Sequence, residues 1–232
     1  MPVSNLSPVA QDYLKIIWSA REWSDEPVTV KQLSERMGVR AATVSDGVRR
    51  LAEQGLVAHE RYGGVELTDA GRRHAVAMVR RHRLIETFLV EELGYGWDEV
   101  HDEAEVLEHA VSDELIERID RRLGFPARDP HGDPIPTADG TPRRPDAMPL
   151  LDATPGAAVT VVRISDADPA VLRYLGERGI GLDTALRVEE HRAFAGDVTV
   201  EVDGAAVVLG ATAAGAVWVA GRGASAATAN LH

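Results

Sequence analysis

The chain has 232 residues, 44% of them hydrophobic, and a formal net charge of −12, so it can bury a core but is not coated in basic surface. It has no cysteine, which excludes disulfides and thiolate metal sites, and its N-terminus lacks the basic start and apolar block of an export signal. No apolar run approaches the roughly 20 residues of a membrane span, so we expect a cytoplasmic protein without membrane contact.

The N-terminal third of the chain has the element order of a winged helix-turn-helix. Helical spacing of apolar residues predicts helices over residues 8–23, 28–38 and 40–55, and alternating runs around two glycines predict a hairpin over residues 56–68. In this arrangement the second helix of the helix-turn-helix pair enters the major groove of DNA and the hairpin flanks it. We therefore predict DNA binding; the alternative is a winged helix that contacts only other proteins.

The predicted recognition helix has small and polar side chains early and arginines later. Small residues allow close approach to base edges, while hydroxyl groups and arginines reach phosphates, which fix position rather than sequence. Arg40, at the start of this helix, is the candidate for base readout. The candidate DNA contacts, two of them in the wing, are Arg40, Ala42, Thr43, Ser45, Asp46, Arg49, Arg50, Arg61 and Tyr62.

Two further helices, predicted over residues 69–93 and 98–123, form the acidic part of the chain. Residues 76–125 carry a net charge of −7, whereas residues 1–75 are neutral overall. No lysine or arginine occurs between residues 98 and 117, although an ordinary solvated helix face mixes both signs of charge. Some other positive charge is needed to compensate these acids.

Four ionisable residues of the acidic helix are predicted to lie side by side. Each helical residue turns by about 100°, so His101, Glu105, Glu108 and His109 would form one band beside the apolar face. Unpaired carboxylates at the border of a core are costly, and a bound cation would compensate them. The alternative is that the acids are solvated and the histidines are satisfied within the protein.

The C-terminal half differs in composition. Eight of the twelve prolines lie within residues 126–155, which predicts a linker without regular structure, laid partly on the surface. From Ala157 onward, short β runs interrupted by one helix near Pro169 predict a small barrel.

The stretch "RRHRLIETFLVEELGYGWDEVHDEAEVLEHAVSDE" resembles the metal-binding and dimerisation core of the DtxR family of metal-dependent repressors, which includes iron and manganese regulators. The resemblance covers nearly the whole chain, through the H-x3-E and H-x3-E-x2-E-H spacings and an "HGDPIP" stretch after the last helix. It implies an α+β protein with an N-terminal winged helix-turn-helix over residues 1–73, an all-α dimerisation domain over residues 74–140, a Pro-rich linker over residues 141–154 and an SH3-like β-barrel over residues 155–225.

The resemblance implies two metal sites. The primary site would consist of Asp12, Glu105, Glu108 and His109. The ancillary site would consist of His82, Glu86 and His101, completed by a residue of the barrel, for which the candidates are Asp166 and Asp168. The alternative for the two aspartates is that they only cap the helix near Pro169. His131 and Asp133, in the "HGDPIP" stretch, are interpreted as turn residues.

The resemblance also indicates which metal binds. Asp12 and Glu105 stand where the iron-type regulators have Met and Cys, and such hard oxygen ligands suit Mn²⁺. We expect a manganese regulator, with Fe²⁺, Co²⁺ or Zn²⁺ as substitutes in vitro; the alternative is an iron-responsive repressor of the same family. Short manganese regulators have a Glu at the position of Lys15, so a two-manganese cluster built like theirs is not expected here.

The implied mechanism links metal binding to DNA binding. A cation that joins Asp12 to the dimerisation segment would hold the winged helix in the arrangement that docks on both half-sites of an operator. The expected partners are double-stranded operator DNA and a second copy of the chain, with no membrane and no small organic substrate, and the expected targets are manganese-uptake genes. Two alternatives are a metal-independent winged-helix regulator and a metallohydrolase, although the sequence has no separate nucleophile or substrate motif for hydrolysis.

Overall fold

The computed structural model describes residues 6–24, 26–59, 64–137, 140, 145–192 and 194–221. The chain divides into two compact units, which are considered separately below. The first comprises Met1–Ile85, Glu105–Asp120 and Ile135–Pro142, and the second comprises Glu86–Ala104, Arg121–Pro134 and Arg143–His232. Within the described ranges, no helix is both long enough and apolar enough to cross a membrane.

The first unit begins with the predicted winged helix-turn-helix. Its elements, in chain order, are α1 (Pro8–Glu22), α2 (Val30–Met37), α3 (Ala41–Glu53), β1 (Val57–His59) and β2 (Val65–Leu67). The two strands pair antiparallel, as expected for the wing. The helix boundaries follow from local signals: Thr29 and Gln32 form a capping box at the start of α2, and Gly38 ends that helix with a left-handed backbone.

The core of this domain forms between α1 and α3. Val44, Val48 and Leu51 line the inner face of α3 and are buried. Gly47 lies on the same helix, where an added Cβ would be 2.6 Å from the ring of Tyr13. The missing side chain at Gly47 therefore allows α1 to approach α3 closely, which leaves the opposite face of α3 to solvent.

Three helices follow: α4 (Asp69–Leu93), α5 (Val100–Leu107) and α6 (Asp113–Arg122). The prediction of one continuous helix over residues 98–123 is wrong, because the helix stops at Leu107 and a new one starts after Ser112. Arg81 provides partners for carbonyl groups at the break, because its Nη1 donates to the carbonyl oxygens of Glu108 and Val111, at 3.0 and 3.1 Å. Glu108 and His109 thus lie beyond the end of α5 rather than on its side.

The second unit contains the predicted C-terminal β domain. Its elements are β3 (Met148–Pro149), β4 (Ala158–Ile164), α7 (Pro169–Gly176), β5 (Ala185–Arg192), β6 (Asp197–Val202), β7 (Ala205–Leu209), α8 (Ala211–Gly215) and β8 (Val217–Gly221). The strands form one antiparallel sheet in the order β3-β8-β4-β5-β6-β7. Alternate residues of β4 and β6 are buried in its core, as the period-two pattern predicts.

The segment after α6 is irregular but buried, so the prediction of a linker on the surface is wrong for its first part. Asp129, His131 and Asp133 are each at most 5% exposed. The Asp129 carboxylate accepts hydrogen bonds from the backbone N–H groups of His131 and Asp133, both at 2.9 Å, and Asp133 pairs with Arg163 at 2.7 Å. Because its polar groups find partners, this irregular backbone tolerates burial.

Candidate metal centres and DNA-reading helix

The exposed face of α3 carries the residues predicted to contact DNA. Those that the structure describes are all exposed, namely Arg40, Ala42, Thr43, Ser45, Asp46, Arg49 and Arg50. Arg40 stands directly before the first turn of α3, and Arg49 Nη2 donates to Asp46 at 2.9 Å. Arg61 and Tyr62, the two predicted wing contacts, lie outside the described residues.

The first candidate metal centre joins α1 to the segment after α5. Donor atoms of Asp12, Glu108 and His109 lie within 4.8 Å of one another. His109 Nε2 is 2.9 Å from Asp12 Oδ1 and 3.5 Å from Glu108 Oε1. Glu108 is fully buried, so its carboxylate requires compensation by positive charge or by hydrogen bonds.

Gln11 sets the orientation of the His109 ring. The Gln11 amide nitrogen donates to the Leu6 carbonyl at 3.0 Å, which turns its oxygen toward His109 Nδ1 at 2.7 Å. An amide oxygen only accepts, so Nδ1 carries the proton and the lone pair of neutral His109 is on Nε2, facing Asp12 and Glu108. Gln11 is not among the site residues predicted from the sequence, where its position directly before Asp12 is the available signal.

The chemistry of these donors fits a cation. Asp12 Oδ1 is buried and, within the described part of the chain, makes no hydrogen bond, although His109 Nε2 lies nearby. Burial raises the pKa of Asp12 above its ordinary value, against the opposing charge of Lys15. Two carboxylates and an imidazole lone pair are ligands that a divalent ion such as Mn²⁺ accepts.

Glu108 also belongs to a second group of donors, with His82 and Glu105, that again lie within 4.8 Å of one another. His82 Nδ1 is 2.5 Å from Glu108 Oε2 and 4.0 Å from Glu105 Oε1. Lys15 enters this group from α1, with Nζ 2.5 Å from Glu105 Oε1 and 2.6 Å from Glu108 Oε1. The structure thus brings all four predicted primary-site residues into one region of the first unit.

The second unit contains another candidate metal centre, built on Glu86, His131 and Asp166, whose donor atoms lie within 4.8 Å of one another. His101 Nδ1 is 3.2 Å from Glu86 Oε1 and 3.3 Å from Asp166 Oδ2. Burial alone would lower the pKa of His101, but hydrogen bonds to Asp166 and Glu86 raise it to about 10. Three of the residues predicted for the ancillary site therefore meet here.

His131 presents a ring nitrogen to this centre. Its Nε2 donates to the Trp97 carbonyl at 2.6 Å, so the lone pair of the neutral ring is on Nδ1. Nδ1 is buried, has no hydrogen-bond partner among the residues that the structure covers, and lies 3.9 Å from Glu86 Oε2. The interpretation of His131 as a turn residue therefore misses this buried ring nitrogen. Asp168 is exposed and caps α7, accepting from the Ala170 N–H at 2.8 Å.

Family models match most of the chain. The N-terminal DNA-binding domain of iron-dependent repressors matches residues 5–65, their metal-binding and dimerisation domain matches residues 68–137, and the FeoA domain matches residues 148–221. These three matches coincide with the winged helix, the segment that carries the candidate ligands, and the C-terminal sheet.

Relatives of known name align with the chain over different lengths. The iron-dependent repressor IdeR of Mycobacterium tuberculosis is 37% identical over 136 residues, and the chain spans 58% of that relative's length. The diphtheria toxin repressor of Corynebacterium efficiens is 31% identical over 196 residues, which are 80% of this chain and 85% of the relative.

The chain is also similar to solved structures. One is a manganese-dependent transcriptional repressor in complex with manganese, at 62% identity and a TM-score of 0.89, with 91% of this chain and 99% of that chain covered. Another is the manganese regulator SloR, at 37% identity and a TM-score of 0.79, with 94% of this chain and 100% of that chain covered.

Proposed function

We propose that this chain, which belongs to the family of iron-dependent repressors of the DtxR type, is a manganese-responsive, DNA-binding transcriptional repressor. Family membership confirms the resemblance inferred from the motifs. The observation that carries the proposal is the convergence of Asp12, Glu108 and His109, whose donor atoms lie within 4.8 Å of one another. Similar structures named as manganese-dependent repressors support it.

The donor set favours manganese over softer metals. Asp12, Glu105, Glu108 and His109 offer only carboxylate oxygen and imidazole nitrogen, which suit Mn²⁺, whereas sulfur ligands suit later metals in the series. Gln11 supports the site from outside by fixing the His109 ring, as outer-shell partners of metal-bound histidines do. These residues would hold the ion, and the ion would supply the charge that the buried carboxylates require.

A metal at this site would connect two parts of the first unit. Asp12 belongs to α1 of the DNA-binding domain, and Glu108 and His109 follow α5 in the segment matched by the dimerisation model. If the ion binds this arrangement more tightly than others, it raises the population in which both α3 helices of a homodimer fit the two half-sites of an operator. Operator DNA must then tighten metal binding by the same factor.

We also propose a second metal site at Glu86, His131 and Asp166, with His101 beside it. The buried lone pair on His131 Nδ1 supports this assignment, as does its tautomer, which the bond to the Trp97 carbonyl sets. Asp168 is left out of this site because its carboxylate caps α7. Compared with the ancillary set expected from sequence, the proposal adds His131, which lies in an otherwise irregular segment, and leaves out His82, which belongs to the group with Glu105 and Glu108.

An iron-responsive repressor of the same family is the second candidate, because several relatives are named as iron-dependent repressors. The ligands distinguish it, since sulfur is absent from the proposed set. A metallohydrolase is not supported, because the family that matches the chain consists of DNA-binding repressors.

The test is a metal-dependent DNA-binding measurement. Operator fragments would first be selected from genomic DNA with the Mn²⁺-loaded protein, and binding would then be measured by fluorescence anisotropy with Mn²⁺, Fe²⁺ or EDTA. We expect binding with Mn²⁺, its loss in EDTA, and its loss in Glu108→Gln. Glu103→Gln, a substitution of the same type on α5 outside both candidate centres, is the matched control. Binding that is equally tight in EDTA would contradict the proposal.

A further inference from the structure

Lys15 is a buried lysine whose ammonium group lies among the proposed metal ligands. It is 7% exposed, and its Nζ is 2.5 Å from Glu105 Oε1 and 2.6 Å from Glu108 Oε1. The side chain therefore places a full positive charge inside the acidic centre.

Two adjoining cation positions share the carboxylate of Glu108. One lies between Glu108, Asp12 and His109, and the other lies between Glu108, Glu105 and His82. The hydrogen bonds of the ammonium group go to both carboxylates of the second position. The ammonium group thus stands where a cation would lie between Glu105 and Glu108. The Glu108 Oε1 atom that it contacts is also 3.5 Å from His109 Nε2, so this oxygen is shared between the two positions, and Asp12 and His109 remain for a free ion.

The charges also favour a single divalent ion. The three carboxylates of Asp12, Glu105 and Glu108, together with the ammonium of Lys15, leave two negative charges, which one divalent ion neutralises. A second divalent ion beside the ammonium would leave an excess of positive charge in a buried site, where uncompensated charge is costly.

We propose that Lys15 is a tethered cation that fills the second cation position on Glu108 and so restricts the primary site to one divalent ion. This inference rests on the proposed function, because it takes Asp12, Glu108 and His109 to bind metal. The position of Lys15 in the sequence predicts only that a two-manganese cluster is not built as in the short regulators. The structure adds the partners of the ammonium group, Glu105 and Glu108, which lie more than 85 residues away along the chain.

The experiment counts bound Mn²⁺ in the full-length chain by equilibrium dialysis and metal analysis. A His131→Ala/Asp166→Ala background removes the second proposed site from the count. Lys15→Met and Lys15→Gln should raise the count from about one ion per chain to about two, since the vacated position then accepts a metal. Lys15→Arg, which keeps the charge, should stay at about one ion, as should the matched control Lys31→Met.

Lys31 is a suitable control because it is the chain's other lysine and its side chain is 85% exposed, paired only loosely with Glu35 at 3.8 Å. A second readout is thermal unfolding in EDTA. Lys15→Met should melt at a lower temperature than Lys31→Met, and Mn²⁺ should recover more stability in Lys15→Met, because the buried Glu108 and the partly exposed Glu105 lose their counter-charge only in that variant.

The outcomes separate this inference from the proposed function. A wild-type chain that binds no Mn²⁺ in this background would overturn the proposed function and this inference with it. A wild type with one ion and neutral Lys15 variants that also bind only one would overturn the tethered cation alone. Neutral variants that stay unfolded even in saturating Mn²⁺ would overturn it too, because a metal ion could then not replace the ammonium. Neutral variants that fold only with Mn²⁺ and bind two ions would support it.

Discussion

Substitution of Gln11 tests directly whether this residue orients the His109 ring in the proposed primary site. It is 4% exposed, and its amide oxygen accepts from His109 Nδ1 at 2.7 Å. Gln11→Leu keeps the apolar bulk but removes the acceptor, so the imidazole loses both its fixed orientation and its fixed tautomer. Outer-shell substitutions of this kind lower metal affinity by about 10- to 100-fold, which corresponds to about 1.4–2.7 kcal/mol. Calorimetry with Mn²⁺ measures this loss directly, and the Mn²⁺ concentration for half-maximal operator binding should rise by a similar factor.

Two further variants control this experiment. Gln11→Glu keeps an acceptor oxygen toward His109 Nδ1 but loses the donor to the Leu6 carbonyl, so it should bind Mn²⁺ more tightly than Gln11→Leu. Gln54→Leu makes the same chemical change at an exposed residue after α3 and should bind Mn²⁺ like the wild type. The reasoning is refuted if Gln11→Leu binds Mn²⁺ as tightly as the wild type, or if Gln11→Glu is as weak as Gln11→Leu.

Other predictions concern the DNA-reading helix, its packing and the C-terminal sheet. Arg49→Ala and Arg50→Ala should weaken binding to all DNA sequences alike and reduce the slope of log affinity against log salt by about one unit per lost phosphate contact, measured by anisotropy at several salt concentrations. Gly47→Ala should lower stability by about 1–3 kcal/mol in urea unfolding, because the new Cβ would meet the Tyr13 ring; an unchanged midpoint would contradict the packing argument. Asp168→Ala should cost about 1 kcal/mol by removing the cap of α7 while leaving the Mn²⁺ count unchanged, and a lost ion would instead identify Asp168 as a ligand.

The sequence predicted those elements whose signals are local. The capping box of Thr29 and Gln32, the left-handed Gly38 and the alternation of β4 all act within a few residues, so boundaries read from sequence agree with the structure to within a few positions. The break after Leu107 could not be predicted in this way. Carbonyl groups at this break accept hydrogen bonds from Arg81, which lies about 30 residues earlier in the chain, and so distant a contact leaves no local sequence signal.

The same distinction applies to the second proposed metal site. From sequence, His131 lies among prolines and a glycine, which is typical of a surface turn. In the structure Asp129 organises that turn, and the Trp97 carbonyl accepts from the ring, so a buried lone pair faces Glu86. Neither contact is visible as a pattern, because the burial of an irregular segment depends on partners from other parts of the fold.

The structure therefore gives a different reason than the sequence for expecting bound metal. The sequence argument was that acids without nearby lysine or arginine need a bound cation, yet Lys15 compensates Glu105 and Glu108 from α1. A high density of carboxylates alone thus overstates the need for a metal ion, since distant residues can supply the positive charge.

Two buried acceptor atoms remain without a hydrogen-bond donor across the described residues. They are Asp12 Oδ1 in the first unit and His131 Nδ1 in the second. A buried acceptor without a donor is costly, and each of these atoms belongs to a group of donor atoms that lie within 4.8 Å of one another. Two unmatched acceptors, rather than the acidity of one helix, are the stronger argument for two metal ions.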